Sequence, residues 1–340
     1  MNNSLPTPRE IFEQLDFFVI GQNAAKRRVS IAAHNHLRRT QPTDSADLHL
    51  IRKSNILLYG PTGCGKTHLA RNLASVLEAP IVIVDATDYT EAGYYGKDVE
   101  TIVGELLRVT GSVEATERGV VFIDEIDKIA ARSGAARTGA GSRDIGGEGV
   151  QQSLLKLLEG RVIYAPTDVT QHWNKHDFVP VDVSNVLFIC AGAFSDLNAG
   201  ESSPVAGFTG SPEPSRRSVN VRDFQRYGFI PEFLGRLPVR VAMNPLRKEE
   251  LIRVIIEPPD SILNEYRDLL RLNDTELVWE EDSFEPIADF VLRSGMGARA
   301  VRTVMEEVLE EVMFEAPESS AAQYTLTRRA VEEKLSELEG

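Results

Sequence analysis

The segment Gly60–Thr67, with the sequence GPTGCGKT, constrains the fold of this 340-residue chain more than any other feature. It follows a short apolar run, NILLYG at 55–60, and precedes a stretch with helical spacing at 67–79. A strand, a glycine-rich loop and a helix in this order match the pattern G-x-x-x-x-G-K-[ST], in which backbone N–H groups bind phosphate. The pattern predicts an ATP or GTP site in which Lys66 meets the β- and γ-phosphates and the Thr67 hydroxyl binds Mg²⁺.

Further apolar runs alternate with helical patterns over the first two thirds of the chain. Candidate strands at 80–86, 119–126 and 183–192 join the one at 55–60. Strands that are apolar throughout are typical of a parallel sheet with both faces covered by helices. The sequence therefore predicts an α/β fold with a parallel sheet between helices.

From about residue 245 the pattern becomes helical. Three segments beyond this point have the spacing of amphipathic helices: LRKEELIRVII, SILNEYRDLLRL and GARAVRTVMEEVLEEVMF. We expect a large α/β domain at 1–244 and a small, mostly helical domain at 245–340. Within the large domain, the segments 131–149 and 198–220 are rich in glycine, alanine, serine or proline and are predicted to be mobile loops.

An acidic pair ends one of the candidate strands. The sequence VVFIDE delivers Asp124 and Glu125 to the carboxyl end of a buried strand, where ligands lie in open α/β sheets. Asp124 is suited to hold Mg²⁺, and Glu125 to position or deprotonate an attacking water. Together with Lys66, this pair predicts a nucleotide hydrolase.

Composition excludes several other classes of protein. The net charge of −14 argues against a general affinity for nucleic acid or for an anionic membrane surface. The amino terminus has no signal-peptide pattern, and no run of apolar residues is long enough to cross a bilayer. Only two cysteines occur, Cys64 and Cys190, so a disulfide scaffold is excluded and a cytoplasmic location is expected.

Further motifs carry a family resemblance. The chain resembles the AAA+ protein-unfolding ATPases of the Clp/HslU group, most closely the ClpX family, in VIGQ (19–22), EAGYYGKDVE (91–100), GEGVQQSLLKLLEG (147–160), GFIPEFLGRLPV (228–239) and GARAVR (297–302). The resemblance implies a large AAA+ ATPase domain followed by a small helical lid domain. It also implies a homo-hexameric ring that uses ATP and Mg²⁺ to pull unfolded or tagged proteins through a central channel.

The resemblance assigns roles that the residues alone do not. Val19 and Ile20 would form the wall against the adenine, Arg236 would be the arginine finger offered to the neighbouring subunit, and Arg299 would be the sensor-2 arginine. A guanidinium suits both positions because it is always charged and binds phosphate bidentately. The nucleotide contacts implied in the loop itself are Pro61, Thr62, Gly63, Cys64, Gly65, Lys66, Thr67 and His68.

Two glycine-containing segments resemble the loops that line the family's channel. Tyr94 and Tyr95 lie between Gly93 and Gly96, and aromatic rings on a bendable loop offer contact to a polypeptide of any sequence. The family usually has valine at the position of Tyr95. Arg143 matches the arginine of a second channel loop.

Three features depart from the family pattern. We expect a variant that lacks the zinc-binding amino-terminal domain of the family. The family's basic entrance loop is only partly matched by QHWNKH at 171–176, whose two histidines lack a third metal ligand. The loop that docks on the ClpP peptidase carries a hydrophobic–Gly–hydrophobic tripeptide, but here Ala206 precedes Gly207 and Phe208. Because a small side chain fills a docking pocket poorly, weak or absent binding of a ClpP-like peptidase is expected.

Two points remain open at the level of sequence. Cys64 is either a small buried residue or, at the amino end of a helix, a stabilised thiolate whose alkylation would inhibit the ATPase. Two other functions fit the same framework, a nucleic-acid motor or loader and a nucleotide-switched assembly factor that threads no substrate. Stimulation of hydrolysis by DNA would favour the first of these, and failure to unfold a tagged protein would favour the second.

Overall fold

The computed structural model describes residues 5–40, 52–90, 97–130, 147–166, 178–195, 197, 219–318 and 323–339. Two compact units share the chain. The first, called the sheet unit, comprises Met1–Ile11, Arg27–Gly60 and Leu73–Ala242. The second, called the helical unit, comprises Phe12–Lys26, Pro61–Asn72 and Met243–Gly340.

The elements of the described residues alternate between helix and strand before the chain becomes mainly helical. The helices are α1 Pro8–Asp16, α2 Asn23–Thr40, α3 Lys66–Val76, α4 Thr101–Thr110, α5 Val113–Thr116, α6 Glu148–Leu158, α7 Val221–Tyr227, α8 Pro231–Gly235, α9 Lys248–Ile256, α10 Ile262–Arg271, α11 Phe284–Ser294, α12 Arg299–Glu315 and α13 Arg328–Glu339. The strands are β1 Ile56–Tyr59, β2 Ile81–Asp85, β3 Val120–Asp124, β4 Val162–Pro166, β5 Phe178–Asp182, β6 Leu187–Gly192, β7 Val239–Ala242, β8 Glu276–Trp279 and β9 Gln323–Leu326.

A five-stranded parallel sheet forms the centre of the sheet unit, in the order β2-β3-β6-β1-β7. All four predicted strands, β1, β2, β3 and β6, belong to it, which confirms the α/β prediction. β6 is the central strand, and every residue of it is buried. Because the strands are parallel, β1 and β3 end at the same edge of the sheet, where Gly60 and Asp124 lie.

An antiparallel hairpin of β4 and β5, which was not predicted, accompanies the sheet. Its inward residues, such as Ile163 and Val181, are buried, whereas Val162, Tyr164 and Phe178 are at least half exposed. This alternation is the pattern of a strand with one covered face.

The helical unit contains the predicted amphipathic helices α9, α10 and α12. Their apolar faces share one core with α11 and α13, in which Phe284, Ile287 and Leu309 are fully buried. A short parallel pair, β8 and β9, adds two strands to this otherwise helical part. In the described part of the chain no helix is both long and apolar enough to span a membrane.

Candidate nucleotide-binding site and catalytic residues

The phosphate loop, Gly60–Thr67, has the backbone that its sequence predicts. Gly63 and Gly65 have φ values of +74° and +94°, in the left-handed region that favours glycine. α3 begins at Lys66, so the amino end of a helix closes the loop, where N–H groups attract phosphate. Lys66 Nζ donates to Pro61 O over 3.0 Å, and the side chain is buried. The loop therefore combines a buried cation with the backbone geometry of an anion site.

The backbone of Gly63 lies directly against residues 296–298, just before α12. Ala298 N donates to Gly63 O over 3.1 Å. A Cβ atom on Gly63 would lie 2.2 Å from Met296 O and 2.7 Å from Gly297 Cα, which is closer than any side chain tolerates. This close approach brings Arg299, the first residue of α12, beside the phosphate loop.

The buried side chain of Gln22 connects the phosphate loop to the backbone of Asn244. Its Nε2 donates to Asn244 O over 2.7 Å and to Cys64 O over 3.4 Å, and its Oε1 accepts from Asn244 N over 3.0 Å. The motif VIGQ thus positions the phosphate loop through its glutamine, while Val19 and Ile20 are buried beside it. Buried amides that are satisfied at both ends fix the backbone segments they join.

These segments enclose one cavity of about 330 Å³ within the helical unit. Small-molecule sites commonly have volumes of this order. Its lining includes most of the predicted nucleotide contacts, namely Val19, Ile20, Gly63, Cys64, Gly65, Lys66, Thr67, His68 and Arg299. Pro61 and Thr62 are not among the lining residues, although the Pro61 carbonyl holds Lys66.

Several cavity residues were missed by the sequence analysis. Asp260 and Ser261 line the cavity, as do Glu265 and Arg302, whose side chains form a two-point ion pair with N–O distances of 2.6 and 3.1 Å. Arg302 could have been found, because it follows Arg299 by three residues and therefore lies on the same helix face. The other three carry no local signal that distinguishes them from ordinary polar residues.

Cys64 is a buried residue of the phosphate loop. Only 3% of its surface is exposed. Burial raises the pKa of the Cys64 thiol, and the nearby charge of Lys66 offsets this only in part. The burial confirms the interpretation of Cys64 as a small buried residue, and the raised pKa disfavours a stabilised thiolate because desolvation outweighs the helix end.

The acidic pair leaves the sheet at the carboxyl end of β3, in the sheet unit. Asp124 is the last residue of the strand and is paired in register with Asp85 of β2. Glu125 follows with φ +54° and ψ +31°, and its N–H donates to Asp124 Oδ1 over 2.9 Å. A non-glycine residue in this conformation is uncommon and marks a local constraint. Both side chains remain partly accessible.

Arg236 directly follows α8, also in the sheet unit, and about half of its side chain is exposed. An aromatic cluster packs behind this segment. Phe229 and Phe233 stack at 5.7 Å between ring centroids, and Phe229 also meets Phe194. The packed rings fix the segment that leads into Arg236.

Some predicted residues lie outside the described part of the chain. They are the two tyrosines of the first channel loop, Tyr94 and Tyr95, the second-loop arginine Arg143, and the docking residues Gly207 and Phe208. The predicted mobile loops at 131–149 and 198–220 also fall mostly outside it.

Comparisons with known proteins agree on one family. Residues 51–240 match the family model described as AAA domain (Cdc48 subfamily). The chain is 40% identical over 343 residues to the ATP-dependent Clp protease ATP-binding subunit ClpX of Bacteroides thetaiotaomicron, an alignment that covers 97% of this chain and 82% of the relative. The ClpX of Treponema denticola is 39% identical, with 93% and 79% covered, and ClpX 2 of Wolinella succinogenes is 41% identical with the same coverage.

Proposed function

Because this chain belongs to the ClpX family of AAA+ ATPases, we propose that it is an ATP-driven unfoldase that threads polypeptides through the channel of a homo-hexameric ring. The observation that carries the proposal is the cavity in which the phosphate loop, Val19, Ile20 and Arg299 meet. That cavity unites a helix amino end, a buried lysine and an arginine, which together match a polyphosphate.

The proposed roles divide between binding and catalysis. Lys66 and Arg299 bind the phosphates, and Glu125 positions or deprotonates the attacking water. The Thr67 hydroxyl and the Asp124 carboxylate are oxygen donors of the kind that Mg²⁺ prefers, and we assign the ion to them. When bound, the ion neutralises charge on the phosphate oxygens.

Arg236 is proposed to act on the nucleotide of the neighbouring subunit. Its half-exposed guanidinium on a firmly packed segment supports this role, since a group that acts across an interface must project from its own subunit.

The proposal also includes a cytoplasmic location, supported by two cysteines that are buried and unpaired, Cys64 and Cys190. We also propose that the chain consists of a large ATPase domain at 1–244 and a small helical domain at 245–340.

The threading proposal predicts that replacing both Tyr94 and Tyr95 by Ala preserves basal ATPase activity and abolishes unfolding of a tagged, folded substrate. The physical reason is that the two rings supply the nonspecific contact that transmits force. The measurement is the loss of substrate fluorescence together with phosphate release. The matched control replaces both residues by Phe, which retains the rings and is expected to retain most of the unfolding rate. Unfolding at the wild-type rate by the double alanine variant would contradict the channel assignment.

The relatives are named as the ATP-binding subunit of Clp protease, and we propose that this chain docks weakly on a ClpP-like peptidase. The expected cause of weak docking is Ala206, which precedes Gly207 and Phe208. A large aliphatic side chain at this position would contribute about 1–3 kcal/mol more binding free energy per contact. Replacing Ala206 by Ile is expected to strengthen co-migration with the peptidase in size-exclusion chromatography with ATP. Equally tight co-migration of the wild type and A206I would contradict this proposal.

A further inference from the structure

The carboxylate of Glu159, the residue that follows α6, lies between two guanidinium groups. Its Oε1 accepts from Arg236 Nη2 over 3.0 Å, and its Oε2 lies 2.6 Å from Arg161 Nη2. The hydrogen bond from Arg236 is the main reason that the pKa of Glu159 lies below its usual value, and Arg161 lowers the pKa further. The three side chains form one charged group, called here the Glu159 triad.

A buried amide fixes the backbone on both sides of this contact. Asn55 Nδ2 donates to Leu158 O over 3.1 Å and to Arg236 O over 3.0 Å, and Asn55 is 1% exposed. The residue before Glu159 and Arg236 itself are therefore held by the same nitrogen atom. The backbone positions from which the two side chains of the ion pair extend are therefore fixed relative to each other.

A second buried amide holds the segment that leads into Arg236. Gln151 of α6 donates through Nε2 to Gly228 O over 3.1 Å, and its Oε1 accepts from Ile230 N over 2.9 Å. Gln151 is fully buried. α6 therefore positions the chain before α8 as well as the side chain after it.

The triad holds Arg236 without covering it. Among the described residues, Glu159 is the one partner of the Arg236 guanidinium, and the contact uses a single nitrogen of a group with five N–H donors. One edge of the planar group stays directed at Glu159 while about half of the side chain remains exposed. Arg161 balances the charge of Glu159, so the triad as a whole carries one positive charge and attracts an anion.

We propose that Glu159 is a positioning residue that orients Arg236 toward the nucleotide of the neighbouring subunit, and that Arg161 keeps the pair attractive to phosphate. This inference rests on the proposed function, in which Arg236 acts across the subunit interface. Holding the guanidinium beforehand reduces the side-chain entropy lost when it meets phosphate. The pair is also weak enough, being near the surface, for Arg236 to adjust when phosphate binds.

Mixed rings of two subunit types test the inference directly. The donor subunit carries Glu125→Gln, so it offers Arg236 to its neighbour but does not hydrolyse ATP. The recipient subunit carries Arg236→Ala, so it hydrolyses ATP only with a neighbour's arginine. Mixing the two is expected to restore ATPase activity that neither has alone, and size-exclusion chromatography verifies that the rings assemble.

Adding Glu159→Ala to the donor is expected to lower the restored kcat about fivefold, the effect of losing one ordinary ion pair, with KM changed less than about twofold. The same substitution in the recipient, where Arg236 is already absent, is expected to have no effect. Glu159→Gln in the donor retains an acceptor oxygen and is expected to recover part of the rate. Arg161→Ala in the donor is expected to lower the rate, because Glu159 then offsets the charge of Arg236.

The other outcomes overturn the inference in distinguishable ways. An equal loss in donor and recipient would mean that Glu159 merely supports its own subunit's fold. A higher rate with Glu159→Ala in the donor would mean that Glu159 withholds Arg236 from the phosphate. If the parent pair without any Glu159 change restores no activity, the interface role of Arg236 fails, and this inference fails with it.

Discussion

Replacing Glu125 by Gln is expected to lower the rate of ATP hydrolysis by about 10²–10⁴-fold, the usual contribution of a general base, while ATP still binds. The substitution keeps the size of the side chain and one acceptor oxygen but removes the carboxylate that accepts a proton from water. Steady-state phosphate release and equilibrium binding of a fluorescent ATP analogue measure the two effects separately. Rings of E125Q are expected to assemble with ATP and to remain ATP-bound.

The structure explains why this position should be so sensitive. β3 ends at Asp124, at the edge of the sheet where the parallel strands have their carboxyl ends, and Glu125 follows in the left-handed conformation, with φ +54°. The hydrogen bond from Glu125 N–H to Asp124 Oδ1 fixes the Asp124 carboxylate relative to the backbone of Glu125. A residue held in an uncommon conformation is retained where its direction matters.

A matched control lies before the opposite end of the same strand. Glu117 precedes β3 and accepts a hydrogen bond from Asp182 N through Oε1 over 2.9 Å. Glu117→Gln makes the same chemical change at the amino end of the strand and is expected to leave kcat within about twofold of the wild type. Hydrolysis by E125Q at a rate similar to that of E117Q would rule out Glu125 as the base.

Local sequence patterns predicted the elements that form the site. The run VVFIDE predicted β3 and its acidic end, and the glycines of GPTGCGKT predicted the loop between β1 and α3. The start of α1 is also set by a local pattern, because Thr7 N–H donates to Glu10 Oε2 over 2.7 Å and Glu10 N–H donates to Thr7 Oγ1 over 3.2 Å. In each case the interacting residues are close in sequence, so the pattern itself contains the contact.

Contacts between distant segments could not be read from the sequence. Gln22 and Asn244 are 222 residues apart. Nothing in either segment indicates that the Gln22 side chain donates to Asn244 O and accepts from Asn244 N. The strands β4 and β5 were missed because exposed apolar residues and two prolines obscure their alternation. Arg236 could be chosen among the arginines only through the family resemblance, since its partner Glu159 lies 77 residues away.

The largest structural effect is expected at a glycine whose importance depends on such a distant contact. Replacing Gly63 by Ala is expected to weaken nucleotide binding about a hundredfold or more. An added Cβ would lie 2.2 Å from Met296 O, so the phosphate loop or residues 296–298 must move apart. That movement breaks the hydrogen bond from Ala298 N to Gly63 O and shifts the N–H groups that would face phosphate. Each lost bond to a charged group costs about 1.5–3 kcal/mol, so one or two of them account for the expected change.

Gly295 supplies the control that separates collision from backbone strain. Its φ of +70° is close to the +74° of Gly63, but no described atom lies within 4 Å of the position that a Cβ would occupy. Gly295→Ala therefore introduces about 1–2 kcal/mol of strain without a collision, and it is expected to lower the thermal stability modestly and leave nucleotide affinity within about twofold. Titration with a fluorescent nucleotide measures the affinity of both variants, and thermal unfolding measures their stability. Equal loss of binding in G63A and G295A would mean that backbone strain alone lowers the affinity, and not the collision of residue 63 with residues 296–298.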